Sequence, residues 1–158
     1  MSDDFTHVDE RGAARMVDVS GKDVTVRSAT ATGRVLVSAE VISLLRGTGV
    51  PKGDALAVAR IAGIQAAKRT PDLIPLCHPL AIHAVTVDVE IADDHITISA
   101  TVRTADRTGV EMEALTCVCV AALALVDMVK AVDPRAVITD VMLREKTGGK
   151  RGHWTRDA

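Results

Sequence analysis

Val85-Thr86-Val87-Asp88-Val89-Glu90-Ile91-Ala92-Asp93-Asp94-His95-Ile96-Thr97-Ile98-Ser99-Ala100-Thr101-Val102-Arg103 is the stretch on which the fold turns. Apolar residues fall at every second position on both sides of Asp93-Asp94, separated by Thr, Ser, Asp, Glu and Arg. Alternate side chains of a strand point to opposite faces, so the pattern predicts an antiparallel hairpin with one face on a core. Toward the C-terminus, a helix is expected from Gly109 to Val132, stopped by Asp133-Pro134, and then a strand from Val137 to Arg144. Toward the N-terminus, Asp54 to Arg69 reads as a helix rich in small residues, stopping at Thr70-Pro71. Ser38 caps a shorter one that reaches Arg46 and ends at Gly47 and Gly49. Val24 and Val26 take one parity and Ala29, Ala31, Val35 and Val37 the other, which predicts a strand bulged near Arg27-Ser28. The order strand–helix–helix–hairpin–helix–strand makes an α+β fold, an antiparallel sheet with helices on one face.

Composition narrows the function. At 158 residues the chain reads as one domain over 14–152, with a mobile N-terminal segment 1–13 and a C-terminal tail 153–158. It has one Phe, one Trp and no Tyr, both aromatics lying near the termini, so the core is aliphatic. A purine ring bound here is expected to be read by hydrogen bonds and aliphatic contacts. A net charge of −2 excludes the basic footprint of a nucleic-acid binder. From Arg144 to Ala158, five basic residues face two acidic ones, a local excess suited to a small anion. Three cysteines without CxxC spacing indicate neither a disulfide framework nor a zinc site, and point to a reducing compartment. No signal peptide or lipidation signal is read, and the longest apolar run, Ala114 to Val126, is too short to span a bilayer. A soluble, cytoplasmic protein is expected.

No charged residue lies between Glu113 and Asp127. A helix apolar on every side is buried on every side, and in a domain of this size the second side calls for another subunit. Fourteen residues separate Glu113 from Asp127. They therefore share a helix face to within roughly 40° yet stand about 21 Å apart along the axis. The two ends cannot grip one small molecule within one protomer. An antiparallel partner helix would bring Glu113 of one copy to Asp127 of the other, which predicts an intersubunit site.

Pro71-Asp72-Leu73-Ile74-Pro75-Leu76-Cys77-His78-Pro79-Leu80 carries three prolines, a cysteine and a histidine. It reads as a stiff, non-helical loop that fixes Cys77 and His78. Thr108-x-x-Glu111 matches a capping box, which accounts for Glu111 and leaves Glu113 as the functional candidate. Lys130 suits a helix C-terminus and Asp127 does not, so the pair is either a surface ion pair or an acid/base pair. Lys146-Thr147-Gly148-Gly149-Lys150 lacks the Walker A spacing and reads as a flexible, lysine-bearing flap. Lys52, ahead of a helix N-terminus, can share an anion with the backbone donors there. Arg27 at the expected bulge is a further anion-binding candidate. Cys117 and Cys119 read as core residues.

The proline-stiffened loop, taken with Lys52-Gly53-Asp54, Gly109-Val110-Glu111-Met112-Glu113-Ala114-Leu115-Thr116 and the Lys146–Lys150 flap, resembles the cyclic pyranopterin monophosphate synthases of molybdenum cofactor biosynthesis. The resemblance runs from about Met16 to Gly152. It implies a ferredoxin-like sheet, a homohexamer built as a trimer of dimers, and conversion of 3′,8-cyclo-7,8-dihydro-GTP to cyclic pyranopterin monophosphate with release of pyrophosphate. It also implies catalytic roles for Asp127, Lys130, Lys52 and His78. Substrate contacts are implied for Leu76, Cys77, His78, Met112, Glu113, Lys146, Lys150 and Arg27. No metal ligands and no cofactor are expected, with a divalent cation on the triphosphate left open. The alternative is a ferredoxin-like nucleotide-binding regulatory module, which needs the lysines but not Asp127.

Overall fold

A computed structural model of the chain describes residues 6–157. Its elements, in order, are β1 (Thr25–Leu36), α1 (Ala39–Arg46), α2 (Ala55–Lys68), α3 (Thr70–Leu73), β2 (Ala84–Ile91), β3 (His95–Asp106), α4 (Glu111–Val129), β4 (Val137–Thr147) and β5 (Trp154–Thr155). The strands form one antiparallel sheet in the order β2-β3-β1-β4-β5. The βαββαβ order and the crossing of β1 to the sheet centre are those of a ferredoxin-like sandwich, with α2 and α4 packed over one face.

The hairpin forms as its alternation requires. Val87, Ile96, Ile98, Ala100 and Val102 are buried against the helices, while Thr86, Asp88, Ser99 and Thr101 face the other side. β3 pairs with β1 over twelve residues, and Ala29, Ala31 and Val35 add to the same inner face. β1 is continuous where a bulge was expected. Val24 and Val26 belong to the open face and stay exposed, so their parity is no sign of a slip. The irregularities lie instead in the pairing of β1 with β4, between Thr30 and Ala31 and between Thr32 and Arg34.

The predicted cap at Ser38 is present, and Asp54 supplies a second where the sequence predicted only a helix start. The Ser38 hydroxyl accepts from the Val41 N–H, and the Asp54 carboxylate accepts from the Ala57 N–H. Asp133, buried after α4, accepts from the Ser38 and Arg135 backbone N–H groups, so one carboxylate ties the start of α1 to the end of α4. The small residues of α2 serve close approach. A Cβ on Gly63 would stand 3.0 Å from both the carbonyl oxygen and the sulfur of Cys117 and 3.1 Å from the Ala121 Cβ.

Three expectations need correction. The start of the proline-rich loop is helical, because Pro71 sits in the first turn of α3, where a missing N–H costs nothing. The tail is not free-standing: Trp154 pairs with Lys146 and Thr155 with Glu145, making an edge strand. Cys119 is exposed, unlike Cys117, because it points away from the sheet with Leu123. Of the N-terminal segment read as mobile, residues 1–5 lie outside the described residues. Beyond them Val8 bridges Ala14, and Asp9 accepts from the Arg11 and Ala13 N–H groups.

Gly63→Val would force α2 off α4 at a contact already at its limit. Overpacking of this kind costs about 1–3 kcal/mol, which outweighs the small helix-propensity gain of valine over glycine. The expected outcome is a lower denaturation midpoint in urea with an unchanged slope, read by circular dichroism; an unchanged midpoint would contradict the packing described.

Candidate active site

The sheet and α4 sort the candidate residues into two groups, one at each end of the helix. At the N-terminal end, the loop after α3 lays Leu76, Cys77 and His78 beside Met112 and Glu113 around a cavity of ≈ 360 Å³. The prolines do what their spacing predicts, and a hydrogen bond fixes the ring: His78 donates its Nε2–H to the Val17 carbonyl. That contact leaves Nδ1 as the acceptor of the neutral ring, the form suited to taking a proton.

Glu113 is the most unusual group at this end. It lies in the first turn of α4, only 3% exposed, and its carboxyl has no side-chain partner among the described residues. Burial raises its pKa from 4.5 to about 7, with the nearby Glu111 adding to the shift and the Glu113 backbone opposing it. Burial, seconded by Glu113, also pushes the Cys77 thiol up, which argues against a thiolate nucleophile. Cys117 is pushed by burial to about 12 and is inert.

Glu111 is not the second half of a capping box. The helix is capped at Val110 without a side-chain bond, and Glu111 instead holds Lys146, whose Nζ donates to Oε1 at 2.8 Å. The pair is partly buried, at 26% and 28% side-chain exposure, so it is screened less than a surface bridge. Lys146 ends β4, and the flap turns back at Gly148 and Gly149, whose φ values are +89° and +74°. Both glycines also lie against Arg27, where a Cβ would overlap the Val26 carbonyl or the Arg27 guanidinium. Arg27 donates its Nε–H to the Asp106 carbonyl at 3.1 Å and supports the flap from below. Lys150 sits exposed at the turn and forms no ion pair among the described residues.

At the other end of α4, Asp127 gathers both remaining lysines. Lys130 donates to Oδ1 at 2.6 Å and Lys52, from the loop ahead of α2, to Oδ2 at 3.0 Å. Lys130 and then Lys52 hold the Asp127 carboxyl below the usual range. All three side chains are about half exposed in the single chain, at 43–56%. The positioning is indirect: Gly49 and Gly53, with φ of +84° and +108°, shape the loop that brings Lys52 over the helix end. The two groups are thus separated along α4, with Glu113 and Asp127 about 21 Å apart on its axis.

Reasoning from the sequence passed over the strap of residues 16–22. Val17, Val19 and Lys22 line the first cavity and cover the Cys77-His78 loop. The only signal was the alternation of Val17 and Val19, which reads as one more short strand; a lysine next to Gly21 carries no chemistry by itself.

Glu113→Gln isolates the buried carboxyl. A raised native pKa means the folded chain binds more protons than the unfolded one between pH 4.5 and about 7, so wild-type stability falls as pH rises through that window. The amide has no such dependence. Thermal melts should coincide for the two proteins near pH 4.5 and diverge as pH rises to about 7, with the variant the more stable; parallel curves would show that the carboxyl is not buried as described.

The sequence profile of the MoaC family matches residues 16–149. A cyclic pyranopterin monophosphate synthase of Streptomyces coelicolor is 72% identical over 154 residues, spanning 98% of this chain and 91% of that protein. One from a Nocardioides species is 70% identical over 155 residues, spanning 96% and 95%. Cyclic pyranopterin monophosphate synthase 2 of Mycobacterium tuberculosis is 59% identical over 155 residues, spanning 98% and 93%.

Proposed function

The chain belongs to the MoaC family, and from that premise we infer that it is a cyclic pyranopterin monophosphate synthase acting in molybdenum cofactor biosynthesis. The observation that carries this reading is near-full-length identity to curated synthases at 70% and above. The reaction converts 3′,8-cyclo-7,8-dihydro-GTP to cyclic pyranopterin monophosphate with loss of pyrophosphate, so the site must hold a polyanion and move protons around a heterocycle.

Both demands have residues to meet them. Leu76, Cys77, Met112 and the ring of His78 offer the apolar and hydrogen-bonding wall for the heterocycle. Glu113, with a pKa of about 7, exchanges protons there near neutrality, and His78 Nδ1 faces the same heterocycle. Lys146, Lys150 and Arg27 face the phosphates. Asp127, held as a carboxylate, acts by orienting Lys130 and Lys52 rather than as a base on its own. The lysines then carry the proton and the charge. A divalent ion that takes part would come bound to the triphosphate.

One substrate cannot reach both ends of α4 in a single protomer, so the active site is shared between copies. In support, α4 and α2 leave Leu123 and Ile61 each 59% exposed and Val58 41% exposed on the outer face of the helical layer. α4 is long and apolar enough to cross a membrane, yet it serves here as the core helix of a sandwich. A second copy laid on it would cover that stripe and bury Asp127 and Lys130. A homohexamer, a trimer of such dimers, and a cytoplasmic setting complete the reading.

Incubation with the cyclised dihydro-GTP substrate, assaying pterin product and pyrophosphate together, is the direct test. Wild type should form both, and Asp127→Ala should lose at least roughly a hundredfold in turnover. Tight binding without turnover in wild type would instead indicate the regulatory module. Leu123→Glu should lower the mass measured by light scattering, and activity with it. A monomeric wild type would contradict the shared site.

A further inference from the structure

The C-terminal residues build a second cavity beside the first. It measures ≈ 320 Å³ and is lined by Glu111, Leu143, Lys146, Arg151, His153 and Trp154. Glu111 lines both cavities, so the two adjoin. That volume is at the small end for a ligand site and suits an anion of phosphate or pyrophosphate size.

β5 makes this cavity. Trp154 is the antiparallel partner of Lys146, so the two side chains leave the sheet on the same face, about 5 Å apart at Cβ. The indole therefore flanks the lysine stem and restricts where the ammonium can go. β5 is short but pinned on both sides. Arg156 donates its backbone N–H to the Arg144 carbonyl and its Nε–H to the Leu143 carbonyl, both at 2.8 Å, and its guanidinium lies 5.7 Å from the centre of the indole. His153 bonds the Glu145 carboxylate at 2.7 Å.

The charges around the cavity do not cancel. Glu111 is matched by Lys146, and His153 is engaged with Glu145. Arg151 forms no ion pair among the described residues. An ammonium has three donors, so Lys146 can keep Glu111 and still offer N–H groups to an incoming oxygen. The guanidinium adds a fork suited to two phosphate oxygens.

We propose that the C-terminal strand builds the subsite for the leaving, pyrophosphate end of the substrate, with Arg151 and Lys146 as its cations and Trp154 as the wall that positions Lys146. The proposal rests on the synthase reading above. Trp154 is a positioning residue; it flanks Lys146, the cation that meets the substrate, rather than the reacting atoms.

The chain has a single Trp and no Tyr, so its fluorescence reports on this cavity alone. Titrating the full-length protein with inorganic pyrophosphate should change the emission saturably, with binding roughly tenfold weaker in Arg151→Ala. In turnover, Trp154→Val, which keeps a strand former but no ring, should raise KM several-fold with kcat little affected, and Trp154→Phe should restore KM. A flat titration, or a KM unchanged in Trp154→Val in a preparation that turns over, would overturn the subsite while leaving the synthase reading intact. A loss that Trp154→Phe fails to restore would overturn the role of the indole. Saturable pyrophosphate binding in a protein that forms no pterin would support the subsite and fail the synthase reading instead.

Discussion

The burial of α4 on the sheet is the constraint on which the rest depends. Between Glu113 and Asp127 the helix carries no charge, and Ala114, Cys117, Val118, Ala121 and Leu125 are all buried beneath it or against α2. A helix committed to a core along its length can present ionisable groups only at its ends. The chemistry is therefore divided: carboxyl, imidazole and flap lysine at one end, an aspartate with two lysines at the other. Nothing flexible joins the two groups. Completing a site from both becomes a matter of bringing two helices side by side, and the outer stripe of α4 and α2 is apolar enough to ask for such a neighbour.

Three lysines of the candidate site are held by carboxylates. Asp127 holds Lys52 and Lys130; Glu111 holds Lys146. These pairs contribute little to stability where they are exposed, but they keep long side chains extended, on the proposed reading toward the substrate's phosphates. That reduces the rotamer entropy lost on binding. Glu113 is the exception, a carboxyl buried without a cation, and burial is what brings its titration near neutral pH.

Much of this was legible in the sequence because it follows from local rules. Alternation at 85–102 gave the hairpin, Ser38 announced its cap, and the prolines around Cys77-His78 marked a fixed loop. What escaped was what only the assembled sheet decides. Val24 and Val26 looked like a change of phase, but a strand's parity has no meaning until its buried face is known. Glu111 fitted a capping box by spacing, yet β4 brings Lys146 within 2.8 Å, and an ion pair outcompetes a cap. β5 is two residues long, below any periodicity, and exists because the Gly148-Gly149 turn returns the chain along β4. The same return moves Trp154 from a tail with no evident role to a cavity wall.

On the proposed reading, each catalytic centre draws on opposite ends of two α4 helices. Subunit complementation tests it most directly: Lys146→Ala, damaged at one end, is unfolded and refolded together with Asp127→Ala, damaged at the other. Neither variant is active alone in this account. In a mixed pair with twofold symmetry, one of the two sites receives both intact ends, so the mixture should recover up to roughly a quarter of wild-type turnover. A mixture that exchanges subunits and stays as inactive as its components would contradict the shared site.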